Sequence, residues 1–284
     1  MALYFTGPEP GQWIVDALDA EGPAGRDLVA GQVPRGFEAY ARIFHPALDL
    51  DGTLVPWAAI ARERGTLMHG EAQFASISGI SDDGSALVED AWDGDNPTSE
   101  GLPAPELAAA ARILATHTAT PERIHLGLWN GFAFIHGGDA VTVLVDRDPD
   151  LSVEEQAAEE ARQNAEAKRP GFADAIRHGA LLELGDAYRA FYLFEGDAAD
   201  LAAPAWASGS LGDERRSPNL AWPWDKAWML SSEIYEDSTI VGGSIELVRA
   251  LVACPELEAH AVNADSRLDV HGDTLNSSPD QAGY

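Results

Sequence analysis

Apolar and polar positions alternate or recur along this chain in ways that name its elements one by one. Trp13, Ile14, Ala17 and Leu18 share one helical face, and Gly22-Pro23-Ala24-Gly25 closes that helix. From Phe37 to Phe44, Phe37, Ala39, Ala41 and Ile43 alternate with Glu38, Tyr40 and Arg42, which is the period of a strand. Pro56 opens a helix over Trp57, Ile60 and Ala61 that Gly65 ends. Residues 73–80 read as a strand, and 81–104 as a loop by their Asp, Gly, Ser and Pro content. Beyond Pro105, Leu107, Ala110, Ala111 and Leu114 recur at helical spacing as far as His117.

Ile124–Trp129 and Phe132–His136 flank Asn130-Gly131, the dipeptide of a type I′ hairpin turn, and Ala140–Val145 follows as a third strand, predicting a β-meander. Ser152 and Glu155 form a capping box that starts a helix to Lys168. Its inward face offers only Val153, Ala157, Ala158, Ala161 and Ala165, so it reads as a helical insertion at 150–170. Strands are expected at 180–184, 188–194, 227–235, 238–241 and 258–262. Ser244 caps a helix that turns Ile245, Val248, Leu251 and Val252 inward. Residues 263–284 are polar and aperiodic, which predicts a disordered tail. The whole describes an α+β fold: one domain over 1–262, a mostly antiparallel sheet with a β-meander, and flanking helices.

With 284 residues and 45% apolar content, the chain has length and composition for a real core. It holds no apolar run of membrane-spanning length, and its first residues lack a signal peptide's basic start, so a cytoplasmic protein that enters no membrane is expected. The lone Cys254 can make neither an internal disulfide nor a cysteine zinc site. Charge changes the picture most. There are 47 acids against 18 bases, a net charge of −29, and only Lys168 and Lys226 among the bases are lysine. Such a surface repels nucleic-acid phosphate and anionic lipid, so direct binding to nucleic acid is excluded. The acidic excess is spread along the chain; arranged in rows it would make a DNA mimic, an inhibitor of a nucleic-acid-binding protein.

Candidate chemistry is sparse. Asp49-Leu50-Asp51-Gly52-Thr53 matches the aspartyl-phosphate motif of haloacid-dehalogenase-like hydrolases, in which the first Asp is nucleophile and the second acid/base. Asp49 and Asp51 are therefore the catalytic alternative, a metal-dependent phosphohydrolase. That motif needs a continuous apolar parallel strand before it, which Arg42 and Pro46 interrupt, and a hairpin turning at Asp51-Gly52 explains the same residues. Asp93-Gly94-Asp95 begins like a calcium loop, but Pro97 and Ala104 fall where ligands belong. No histidine pair has zinc-helix spacing, although His125 and His136 would face one another across the expected hairpin. Neither a metal nor a cofactor is expected. The most distinctive stretch holds Trp222, Trp224 and Trp228 beside Asp225 and Lys226. Pro223 keeps the chain extended, so Trp222 and Trp224 point the same way and Asp225 the other.

Around that stretch, Pro218-Asn219, Trp222-Pro223, Asp225, Ala227-Trp228, Glu233 and Thr239 with Gly242-Gly243-Ser244 resemble a family of uncharacterised actinobacterial proteins. Phe37, Tyr40-Ala41-Arg42, His45-Pro46, His117-Thr118, Pro121, Trp129 and Gly131 extend the resemblance over about residues 36–262. Lys226 stands where that family carries Arg, and the helix at 153–168 is extra. The resemblance implies a bacterial cytosolic origin and brings no activity with it. Ser231-Ser232-Glu233 before an Asp-Ser-Thr strand is similar, in addition, to Smi1/Knr4-type immunity proteins. The expectation is a non-catalytic module that binds a protein partner through Trp222, Trp224, Asp225, Trp228 and Glu233.

Overall fold

The computed structural model describes residues 3–21, 25, 27–99, 101–137, 152–185, 189–209 and 212–276. In chain order its strands are β1 (Tyr4–Phe5), β2 (Ala39–Phe44), β3 (Ala47–Leu48), β4 (Leu54–Val55), β5 (Ile124–Trp129), β6 (Leu182–Glu183), β7 (Ala190–Gly196), β8 (Ala207–Gly209), β9 (Gly212–Glu214), β10 (Leu220–Pro223), β11 (Met229–Ser231), β12 (Ser238–Gly243) and β13 (Ala259–Val262). The helices are α1 (Gln12–Glu21), α2 (Trp57–Arg64), α3 (Phe74–Ser78), α4 (Ala104–Ala115), α5 (Ala133–His136), α6 (Val153–Ala167), α7 (Asp174–Arg177), α8 (Ala198–Ala202) and α9 (Ile245–Val252). One sheet dominates, in the order β1-β7-β5-β10-β11-β12-β2-β13, with β6 also on β7. All its ladders are antiparallel. The fold is α+β, a mostly antiparallel sheet with flanking helices.

Period-2 alternation sends the strands' side chains to two different cores. Ala41, Ile43, Leu126, Leu128, Phe194, Leu230 and Val241 meet α4, α8 and α9 on one face, through Leu107, Leu114, Leu201, Leu247 and Leu251. Tyr40, Leu193, Leu220, Trp222, Met229 and Ile240 meet Ile14 of α1 with Val29, Val33 and Leu268 on the other. Both faces are thus covered, which a strand that reads apolar-in, polar-out does not announce. A third cluster lies past the end of β2, where Phe44 packs with Trp57 and Ile60 of α2 and with Phe74 and Ile77 of α3. No helix among the described residues is long and apolar enough to cross a membrane.

Several expectations need correcting. Residues 74–78 form α3 instead of a strand, because Phe74 and Ile77 are one helical turn apart and both face Trp57; Gly79, at φ 73°, ends the turn. The hairpin at Asn130-Gly131 is absent. Both edges of β5 are taken by β7 and β10, so Phe132–His136 has no ladder to join; Ala133–His136 winds into α5 and buries Ile135. Gly131 is not among the glycines at positive φ, as a type I′ turn would require. His136 bonds the Asn130 carbonyl at 2.9 Å rather than facing His125. The expected strand at 140–145 lies outside the described residues. The meander that exists is β10–β11–β12. In α9, Leu247, Val248 and Leu251 are buried, while Ile245 and Val252 are exposed. The helix at 153–168 is α6, opened by Ser152 and Glu155 as a capping box, with its described side chains largely exposed.

The tail expected to be disordered is packed as far as residue 276; residues 277–284 lie outside the described residues. Leu268 enters the second core, and its N–H donates to the Asp27 carbonyl at 2.8 Å. Asp273 anchors the rest. Its carboxylate accepts from His69 Nε2 (2.9 Å), from the Gln73, Leu275 and Asn276 amides (3.3, 3.1 and 2.9 Å) and from Asn276 Nδ2 (2.9 Å). Burial opposes its charge, but these donors outweigh it and hold the carboxyl below its usual range. Removing it orphans several donors together. Asp273→Ala is expected to lose about 2–3 kcal/mol in urea unfolding and to speed amide exchange over 273–276; unchanged unfolding would show the tail to be held elsewhere.

Candidate functional site

At the end of β10 the backbone builds a row of rings. Trp222 pairs with His125 of β5, and His125 in turn with Glu195 of β7. Pairing of β10 with β11 covers only Leu220 and Ala221, so Pro223 sits where no partner on that side needs its missing N–H. Trp224 keeps the ladder going by donating its N–H to the Arg123 carbonyl at 2.9 Å, and alternation returns its side chain to the face of Trp222. The His125 ring lies between them, 5.3 Å from Trp222 and 6.0 Å from Trp224. Trp13 of α1 meets Trp222 edge-on at 6.3 Å.

Cations close the row at both ends. The Arg123 guanidinium stacks 3.8 Å from the Trp224 ring centre and donates to both Glu195 oxygens at 3.1 and 3.4 Å. Lys226 Nζ lies 5.1 Å from the Trp13 ring. The row Lys226–Trp13–Trp222–His125–Trp224–Arg123 therefore carries a cation over the outermost ring at each end, a geometry that favours cation–π attraction. Exposure changes sharply along it: Trp222 is 1% exposed and Trp224 53%. His125 is buried, its Nδ1 has no hydrogen-bond partner among the described residues, and burial lowers its pKa, so the ring backing Trp224 is neutral at pH 7.

The residues expected to form the site separate. Trp228 crosses to the opposite face, is fully buried against α4 and donates Nε1–H to the Leu114 carbonyl at 3.0 Å. Asp225 points away from the rings and binds the 118–120 segment: it accepts from Thr118 Oγ1 and the Ala119 amide, both at 2.8 Å, and from the Ala227 amide at 3.1 Å. Partial burial opposes its charge, yet these donors win and hold the carboxyl below its usual range. Lys226, at φ 55°, completes the turn by donating its N–H to the Pro223 carbonyl at 2.9 Å. Glu233 lies at the other end of the strands, in the β11–β12 connection, paired with Arg189 at 2.6 Å. Trp222 and Trp224 are brought together; Trp228 and Glu233 are not with them.

Asp49 and Asp51 sit in the β3–β4 hairpin, which is antiparallel and two residues long on each side. Asp49 Oδ1 accepts from the Asp51 amide (3.0 Å) and the Thr53 amide (2.8 Å), with Gly52 at φ 76°, so the carboxylate closes its own turn. The buried parallel strand that an aspartyl nucleophile needs is not what carries it. Among the described residues no three His, Cys, Asp or Glu side chains are placed to hold a metal. Sequence reasoning missed Arg123 and Trp13. Arg123 is two residues before His125 on one strand face, a signal open to a period-2 reading; Trp13 reaches the row only through the packing of α1. Compared with models of known protein families, with curated proteins and with solved structures, the chain matches none.

Proposed function

We propose that this protein is a non-catalytic module that binds another protein through the face carrying Trp224 and Arg123. The observation that supports the reading is a half-exposed tryptophan standing on a buried row of rings and clamped by an arginine. Trp and Arg dominate the energetics of protein interfaces, because each buries much area around a polar handle. Trp224 is already held by Arg123 and His125, so little side-chain freedom is lost on binding. The net charge of −29 steers a partner with a basic rim and repels polyanions and anionic membranes. A cytoplasmic setting suits the single cysteine, and binding without chemistry agrees with the likeness to immunity proteins.

Affinity purification from the native cell tests this with the wild type, Trp224→Ala and Arg123→Ala. A surface change should leave unfolding within about 1 kcal/mol of wild type. The reading expects a protein captured in near-stoichiometric amount by the wild type and lost from both folded variants. An identical set of captured proteins from all three would overturn it.

A further inference from the structure

The turn between β11 and β12 carries more carboxylate than its surroundings neutralise. Glu233, Glu236 and Asp237 fall within five positions. Among the described residues, two arginines reach the turn. Arg189 of the segment before β7 pairs with Glu233 at 2.6 Å, and Arg42 of β2 pairs with Asp237 at 3.2 Å. Both are otherwise engaged: Arg42 also donates to Ser238 Oγ, the Ala72 carbonyl and the Gly70 carbonyl, and Arg189 reaches the Gly31 carbonyl. Glu236 is half-buried and makes neither an ion pair nor a side-chain hydrogen bond among the described residues. The charged groups that act on it are Asp237 and Glu233 of its own turn, Asp27 of the 27–33 segment and Arg42 of β2. Three carboxylates thus oppose one guanidinium already paired. The backbone beside it is strained: Tyr235 stands at φ 69°, its ring 80% exposed and 6.2 Å edge-on from Trp129. Such a conformation persists only while its surroundings over-determine it.

We propose that the 232–237 turn is a proton-operated latch, closed against β2 and the 27–33 segment while Glu236 carries a proton and released when that proton leaves to solvent. Burial first, and Asp237 next, push the Glu236 carboxyl up to about 7, so the change falls in the physiological range. Because that value is raised, the closed turn is favoured on the acid side and opens as pH rises. Opening frees Tyr235 from Trp129 and releases Glu233, with Arg189, from its hold at Gly31.

Hydrogen exchange over residues 232–238, corrected for the intrinsic pH dependence of exchange, tests the latch between pH 5.5 and 8.5. Protection should fall at least tenfold between pH 5.5 and pH 8.5 in the wild type, levelling off once Glu236 is fully ionised, whereas Glu236→Gln should stay protected throughout. A 13C titration of the Glu236 carboxyl in the wild type should have its midpoint at the pH where the exchange curve levels off. Flat wild-type protection, a carboxyl that titrates near its ordinary value, or a Glu236→Gln turn that opens as the wild type does would each overturn the proposal. Should that variant fail to fold, agreement or disagreement between the wild-type carboxyl midpoint and the pH at which protection levels off decides.

Discussion

Replacing Arg42 by alanine is expected to destabilise the protein by about 3–5 kcal/mol, a large share of the roughly 5–15 kcal/mol that holds a domain together. Arg42 is fully buried. Its guanidinium donates to Ser238 Oγ at 2.8 Å and to the Ala72 carbonyl at 2.9 Å, pairs with Asp237, and lies 4.6 Å over the Phe44 ring. Truncation leaves Asp237 without its cation, buried acceptors without donors, and a void between β2 and the 70–72 segment. Arg42→Lys should recover little, because an ammonium cannot present the planar fork or stack on Phe44. Urea unfolding checks both. An Arg42→Ala protein within about 1 kcal/mol of wild type would show that the site rearranges around the loss.

Acidification should reveal His45. This ring is fully buried, with Nδ1 at 2.8 Å from the Thr98 carbonyl and Nε2 at 2.8 Å from Thr239 Oγ1, which Ser232 Oγ contacts in turn. A carbonyl can only accept, so Nδ1 carries the proton, and Nε2 accepts from Thr239. The site therefore holds the neutral tautomer, and burial lowers the pKa from 6.5 to about 4. Since the folded value is depressed, the unfolded chain takes up a proton that the folded ring refuses. The stabilisation is complete above pH 6.5 and is lost as pH falls towards 4, by on the order of 3 kcal/mol. Glu236 runs the other way: its raised value makes its contribution complete below 4.5 and lost as pH rises through about 7. The wild-type profile also carries the shifted groups His125, Asp225 and Asp273, so the test compares wild type with His45→Gln. The stability difference between the two proteins should shrink as pH falls from 6.5 towards 4, and parallel profiles would contradict the assignment.

How much of this was legible beforehand depends on what each position's neighbours do. Arg42 shows why. In Phe37–Phe44 it occupies an outward-facing place by alternation, and a strand covered on one face would leave it in water. Here the 70–72 segment, with Ser238, Asp237 and Trp57, covers that face at Arg42, so the same alternation places a guanidinium in the interior. α2 with its Gly65 stop, α4 and the Ser244 cap were readable because caps and helical spacing are local. α3 was not, since four or five apolar residues fit either period until Trp57 supplies a face to pack on. Asn130-Gly131 failed for a long-range reason: β7, some sixty residues on, takes the edge of β5 that a hairpin would have used. The pairing of Trp222 with Trp224 followed from extended geometry alone. The burial of Trp228 followed from a turn, with Lys226 at positive φ, that no spacing rule announces.

The account rests most heavily on Trp224 as the point of contact with a protein. Placing a photoreactive phenylalanine analogue at position 224, and separately at Leu67, which is 59% exposed on another part of the surface, tests it directly. Irradiation in the native cell should convert the position-224 protein into a discrete adduct heavier by the mass of one partner protein, with none from position 67. No adduct from position 224, or the same adducts from both positions, would contradict the assignment of this face.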